Sequence, residues 1–181
     1  LQGRLSQAEV TFVLAEHIAP GRGRVDELLN GAAFHIGLGN VLRERNELES
    51  ARHHMVLGID LVQGMLSVDA DVVTVGYVAL AKLRHAHGDL LGGLAVLDEF
   101  AQLAYARQFY APLVARGAAA RAQLWLAQGN VAATVRWAAE SGLSADDANL
   151  TYLREAEYLT LAQVLIVQGK SEEALRLLDR P

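Results

Sequence analysis

The sequence contains no cysteine, which excludes disulfide bonds, thiol catalysis and cysteine-based zinc sites. It has only three prolines, and aromatic residues make up 6% of the chain. The hydrophobic residues are mainly Ala and Leu, which lose little side-chain freedom in a helix. No apolar run of about 18 residues is present, and nothing resembles a signal peptide. We therefore expect a helical, cytoplasmic protein with no membrane association.

Charge is also scarce. Charged residues make up 20% of the sequence against 52% hydrophobic residues, a balance that argues against disorder. The formal net charge of −5 provides no cluster of Lys and Arg for the phosphate backbone. Direct nucleic-acid binding by this segment is therefore not expected.

Short turn motifs recur at intervals of 40 to 43 residues. The five motifs are Gly3-Arg4-Leu5, Asn46-Glu47-Leu48, Gly88-Asp89-Leu90, Gly129-Asn130-Val131 and Gly169-Lys170-Ser171. Gly and Asn readily adopt the left-handed conformation that ends one helix and lets the next run back antiparallel to it. Each motif therefore predicts the corner of a helical hairpin.

Small residues recur at fixed distances from these turns. Seven residues before the last four turns stand Gly39, Ala81, Ala122 and Ala162. Five residues after the turns stand Ala8, Ala51, Gly93, Thr134 and Ala174, with Thr134 as the exception. Small residues that face each other across a hairpin allow two helices to approach closely. The flanking apolar residues recur at spacings of three and four, which indicates one buried stripe per helix.

Together these patterns predict an all-α fold. The expected helices cover residues 5–17, 25–45, 48–65, 69–87, 90–106, 108–128, 131–141, 146–168 and 172–179. The distance of 12 residues between the small positions across each turn resembles the tetratricopeptide repeat (TPR), whose usual unit is about 34 residues. We expect one TPR-like repeat domain over 1–181, an α-solenoid of helical hairpins that forms a right-handed superhelix.

The second half of the chain carries a more specific resemblance. The segments that carry it are Gln128 to Trp137, Gly142-Leu143-Ser144, Arg154 to Leu165 and Gln168 to Leu178. They resemble the superhelical region of MalT-like, ATP-dependent LuxR-family transcription regulators. The resemblance is densest over 115–180 and extends more loosely back to Gly3.

The resemblance implies a larger protein in which separate domains bind ATP, sense an effector and bind DNA. Such regulators carry an N-terminal ATPase module, a helical-repeat sensor and a C-terminal helix-turn-helix, and only the sensor is present here. Because the chain starts at Leu1 without an initiator Met, we expect it to be a piece of a longer protein. ATP would bind in the missing N-terminal module, so this segment needs no cofactor. Its partner would be a small-molecule inducer, such as a sugar, or a regulatory protein, and the full-length regulator could self-associate.

A polar column stands six residues before the last four turns and consists of Asn40, Lys82, Gln123 and Gln163. In TPR-like arrays the matching position lines the concave groove, where Arg43 and His85 would be neighbours. Amide and ammonium groups along a groove suit the hydroxyls of a sugar or the backbone of an extended peptide. These six residues form the predicted groove site. The alternative is that the column simply faces water.

Two other polar residues interrupt apolar stripes. Glu157 lies at the centre of the stripe on its helix, where an unpaired carboxylate would be costly. It should pair with Arg121 or Arg154, or else serve a ligand or interface. His35 interrupts its stripe in the same way and is expected to be a hydrogen-bonded core histidine.

The remaining motifs do not support catalysis or metal binding. Gly169-Lys170-Ser171 resembles the end of a P-loop, but Val164 stands where the first Gly is required. The adjacent His53 and His54, like His85 and His87, are interpreted as surface histidines, because no Cys or carboxylate set completes a metal site. We expect no enzyme activity. The predicted function is effector sensing or protein interaction within a LuxR-family regulator, and the alternative is a generic TPR adaptor that binds a partner peptide.

Overall fold

The computed structural model describes residues 2–18, 24–63, 69–147 and 154–179. Within these ranges the chain forms nine α-helices and no strand. The helices are α1 (Gln2–Ile18), α2 (Arg24–Glu44), α3 (Leu48–Gln63), α4 (Ala70–Ala86), α5 (Leu90–Ala106), α6 (Ala111–Ala127), α7 (Val131–Glu140), α8 (Glu155–Val167) and α9 (Ser171–Leu178). The predicted all-α fold of repeated helices is confirmed. The predicted helical positions 64–65 and 148–153 lie outside the described residues.

Four of the five predicted turns are present, each with its residue in the left-handed region. The φ angles are 63° at Asn46, 81° at Gly88, 73° at Gly129 and 76° at Gly169. The predicted turn at Gly3 is wrong, because Gly3 belongs to the first turn of α1. The first N–H groups of any helix lack intrahelical partners, so a glycine there removes little stabilisation and does not by itself impose a turn.

The helix α8 starts later than predicted. Residues 146 and 147 were expected to be helical, but they belong to a turn before α8. There the backbone N–H of Ser144 donates to Oδ2 of Asp147 at 3.0 Å, and the N–H of Asp147 donates to the carbonyl of Ser144 at 3.3 Å. Such local side-chain bonds give the backbone an alternative to the helix. Residues 141–145, between α7 and this turn, are not helical and contain Gly142 with φ 67°.

The chain divides into two compact units, Leu1–Val96 and Leu97–Pro181. In the first unit α2 packs against α1, α3 and α4. Its core includes Phe34, Leu38, Leu42, Met55 and Leu83. The single domain over 1–181 and its right-handed superhelix stay predictions.

The close approach of α2 and α3 depends on glycine. A Cβ atom on Gly39 would lie 2.7 Å from Cγ of Met55 and 3.1 Å from the carbonyl oxygen of Ala51. A Cβ atom on Gly58 would meet Ile36 at 2.7 Å. The small columns are buried, as predicted, at Gly39, Ala51, Ala81, Gly93, Ala122, Thr134, Ala162 and Ala174, whereas Ala8 is half-buried.

In the second unit α6 packs against α7 and α8, and α8 also packs against α7 and α9. One cluster combines Ala119 and Ala122 with Trp137 and Val164. A second cluster joins α8 to α9 through Leu161, Leu165, Ala174 and Leu177, among others. Among the helices of the described ranges, none combines the length and apolarity needed to cross a membrane.

Candidate ligand-binding site

Two open pockets lie beside α6 in the second unit. The first, called the α5–α6 pocket, has a volume of about 470 Å³. It is lined by Leu97, Asp98, Phe100, Ala101, Gln102, Val114, Gly117, Ala118 and Arg121. The second, called the Glu157 pocket, has a volume of about 520 Å³. It is lined by Phe109, Ala111, Val114, Ala115, Ala118, Trp137, Glu140, Ser141 and Glu157. Val114 and Ala118 contribute to both, so the two pockets adjoin along one face of α6.

Glu157 is the most deeply buried charged group at this site, with 2% of its surface exposed. The NH2 group of Arg154 donates to its Oε2 at 2.8 Å, and Nε of Arg154 donates to Oε1 at 3.2 Å. The hydrogen bond to Glu157 is the main cause that raises the pKa of Arg154 above its ordinary value. Of the two partners predicted for Glu157, the structure selects Arg154.

The other predicted partner, Arg121, belongs to the α5–α6 pocket. Its NH1 group lies 2.6 Å from Oδ1 of Asp98, and its guanidinium stands 6.0 Å from the ring centre of Trp125. Gly117 allows α5 to pack here, because a Cβ atom at this position would overlap the ring of Phe100.

A second set of bonds joins residues 154 and 158 to the described turn at 141–147. The hydroxyl of Tyr158 donates to Oδ2 of Asp147 at 2.9 Å. Burial is the main cause that raises the pKa of Tyr158 above its ordinary value, and the bond to Asp147 adds to it. Arg154 also donates to the carbonyl of Ser141 at 3.4 Å. Ser141 and Glu157, which both line the Glu157 pocket, are thereby joined through one guanidinium.

The predicted groove residues of the first unit are half-buried. Nε of Arg43 lies 3.4 Å from Oδ1 of Asn40, a long hydrogen bond, and Arg43 also pairs with Glu44. Lys82 and His85 lie on α4. These four residues do not line either pocket of the second unit.

Gln123 and Gln163, the groove residues of the second unit, have different surroundings. Nε2 of Gln123 donates to Oγ1 of Thr160 at 2.9 Å, which joins α6 to α8. Gln163 is exposed. Neither residue lines the two pockets. The groove site therefore stays a prediction. Sequence reasoning missed the pockets because most of their lining residues are apolar and typical of a core.

Two histidines contact each other in the first unit. Nδ1 of His35 and Nδ1 of His54 are 2.9 Å apart, so one ring donates to the other according to the tautomers. The hydrogen bond predicted for His35 is present. His54 is half-buried where its ring contacts His35 of α2, as is His85 on α4, whereas His53 and His87 are exposed. Over the parts of the chain that the structure describes, no three His, Asp or Glu residues are grouped as metal ligands.

Comparison with known protein families gives one decisive result. The family model of the MalT-like TPR region matches residues 1–180. This chain belongs to that family. A MalT-like TPR region is a helical-repeat domain that mediates binding of partner proteins or ligands, and the α-solenoid class is confirmed.

A solved structure has a similar fold. The crystal structure of BtubC (BKLC) from P. vanneervenii is similar, with a TM-score of 0.60 and 13% sequence identity. The similarity covers 97% of this chain and 89% of that protein. At this identity it shows the helical-repeat fold alone. No curated protein matches the MalT-like chain significantly.

Proposed function

We propose that this chain is the effector-sensing region of a LuxR-family, ATP-dependent transcription regulator. An inducer or a regulatory protein binds on the surface of its repeats and controls the activator. The observation that carries the proposal is the match of the MalT-like TPR region to residues 1–180. The two adjoining pockets beside α6 support it, because ligand sites are typically concave and mostly apolar, with few polar groups.

The surroundings of the polar groups favour binding over catalysis. The hydroxyl of Ser141 donates to the carbonyl of Ala138 at 2.8 Å and accepts from the N–H of Leu143 at 3.2 Å. The Ser141 hydroxyl therefore forms hydrogen bonds within the loop and is not positioned as a nucleophile beside a general base. We accordingly propose a segment without enzyme activity. ATP binds to an N-terminal module and DNA to a C-terminal helix-turn-helix, and the protein acts in the cytoplasm.

Exposed aromatic residues favour a second candidate function, a TPR adaptor that binds a partner peptide. Tyr105 at the end of α5 is 88% exposed, and Tyr110 directly before α6 is 50% exposed. Tyrosine is enriched in protein interfaces because it combines a large apolar ring with a polar hydroxyl.

The coding sequence on either side of this segment separates the two functions. A regulator requires a P-loop upstream and a helix-turn-helix downstream, whereas an adaptor requires neither. In a mobility-shift experiment the full-length protein should bind DNA upstream of its neighbouring genes in an ATP-dependent manner. The 181-residue chain alone should leave the same DNA unshifted at physiological salt, since its net charge is −5. Full-length protein that binds neither ATP nor DNA would contradict the regulator proposal.

A further inference from the structure

We propose that the Glu157 pocket binds a small organic cation, an ammonium or amidinium group carried on a flat apolar body. This inference deepens the proposed function by naming the ligand class of one site. It rests on the proposed function only for its biological role, because the binding itself follows from the pocket.

The walls of the pocket select an apolar ligand body. Six of its lining residues are apolar, and Phe109 and Trp137 supply aromatic surface. Its volume of about 520 Å³ accommodates a ring with a short chain. Ala115 and Ala118 leave room beside α6 that larger side chains would fill. The pocket is therefore shaped for a flat hydrophobic group.

Acceptors outnumber donors among the polar groups of the lining. The acceptors are Glu140, Ser141 and Glu157, and the indole N–H of Trp137 is a donor. The hydroxyl of Ser141 already donates within its loop, so it has no proton for a ligand. A sugar presents several donors and several acceptors, and among the lining side chains its acceptors would find the indole N–H of Trp137 alone. An ammonium or amidinium group only donates and therefore matches this lining.

The charge balance also favours a cation. Arg154 compensates Glu157 through contacts at 2.8 and 3.2 Å, yet a carboxylate has about four acceptor positions, so Glu157 can accept further bonds. Glu140 forms no ion pair among the described residues and adds a second negative charge. No basic side chain belongs to the lining. Aromatic faces next to these carboxylates add a cation–π attraction.

Binding to the 181-residue chain can be measured by calorimetry with four small probes. Phenethylamine and benzamidine are the cations, 2-phenylethanol is the neutral counterpart and 3-phenylpropionate is the anion. The cations should bind at least about tenfold more tightly than the other two, as expected for a charge-assisted hydrogen bond. Fluorescence in a Trp125→Phe background, which leaves Trp137 as the reporter, should change with the cations.

Variants locate the binding. Ala118→Leu fills the pocket, and Ala111→Phe does the same from an exposed position that does not contribute to the core. Both should reduce cation affinity at least about tenfold. Ala127→Leu is the matched control, because Ala127 is exposed on the same helix and outside the lining. Glu140→Gln should lower the affinity for the cations by about three- to tenfold and leave the affinity for 2-phenylethanol unchanged.

Three results would overturn the proposal: no binding of either cation, equal binding of cation and neutral probe, or cation binding that persists in Ala111→Phe. Each concerns the pocket alone. The ATP-dependent DNA binding of the full-length protein tests the regulator independently, so the two failures are distinguishable.

Discussion

Arg154 donates through its NH2 group to Oε2 of Glu157 at 2.8 Å, and the two side chains differ greatly in exposure. The side chain of Glu157 is 3% exposed, whereas that of Arg154 is 34% exposed. The residues are three positions apart at the start of α8. Loss of the arginine leaves a buried carboxylate without its cation. Loss of the carboxylate leaves a guanidinium that can still reach water.

The first prediction follows from this asymmetry. Arg154→Met should lower the free energy of unfolding by about 3 kcal/mol, the effect of stranding a buried charge. Glu157→Gln should lower it by only about 1–2 kcal/mol. Urea unfolding followed by circular dichroism measures both. Arg176→Met is the control, because Arg176 and Asp146 are 3.9 Å apart and exposed, and it should change stability by less than about 0.5 kcal/mol. An Arg154→Met variant as stable as this control would refute the role of the pair.

The second prediction concerns alkaline pH. Burial raises the pKa of Tyr158 in the folded state above that of an unfolded tyrosine. The stabilisation from neutral Tyr158 is therefore complete below the unfolded pKa, about 10, and is lost as pH rises through the folded pKa. Between about pH 9 and about pH 11 the wild type should lose more stability than Tyr158→Phe does.

The same titration in Tyr105→Phe provides the control. Tyr105 is 88% exposed, so this variant should keep the wild-type pH dependence. If Tyr158→Phe and the wild type lose stability in parallel over this pH range, the coupling of Tyr158 ionisation to folding is absent.

The helices could be predicted from the sequence because their boundaries are encoded locally. Asn46, Gly88, Gly129 and Gly169 adopt a left-handed conformation that other residue types enter only at a cost. Gln108 does so as well, with φ 53°, although its residue type does not favour it. The N–H of Phe109 donates to the carbonyl of Ala104 at 2.9 Å and closes this turn as in the other hairpins. The residue type at 108 gives no sign of the turn, so the start of α6 at Ala111 rather than 108 could not be predicted.

The candidate site was less predictable than the fold. The burial and pairing of Glu157 followed from its place on one helix, since Arg154 is a neighbour on the same helix turn. The contact of His35 with His54 depends on the register between α2 and α3, which a periodic pattern leaves open. Pocket residues such as Ala115 and Ala118 carry no polar signal, so only the packed structure shows that they border a space.

The third prediction tests the close packing of α2 and α3. Gly39→Ala should destabilise the protein by about 1–3 kcal/mol, because the new Cβ would lie 2.7 Å from Cγ of Met55 and 3.1 Å from a backbone oxygen. Gly31→Ala on the same helix meets its nearest atom, Cδ1 of Leu61, at 3.5 Å. It should stabilise the protein by about 0.4–1 kcal/mol. Thermal melts of the two variants should therefore shift in opposite directions, and shifts of the same sign would contradict the packing.

The last prediction compares Gln123 and Gln163, which occupy the same column of the repeat. Gln123 bonds to Thr160, which is fully buried and whose hydroxyl donates to the carbonyl of Ala156 at 2.7 Å. Gln123→Ala should therefore lower the free energy of unfolding by about 0.5–1.5 kcal/mol, whereas Gln163→Ala at an exposed position should change it by less than about 0.5 kcal/mol. A double-mutant cycle with Thr160→Val measures the contribution of the Gln123–Thr160 hydrogen bond to stability. A coupling energy near zero would show that Gln123 does not stabilise the fold through Thr160. Replacing a groove residue that only binds ligand would lower the ligand affinity and leave the free energy of unfolding unchanged. The cycle therefore separates the structural role of Gln123 from the predicted groove role, which Gln163 retains.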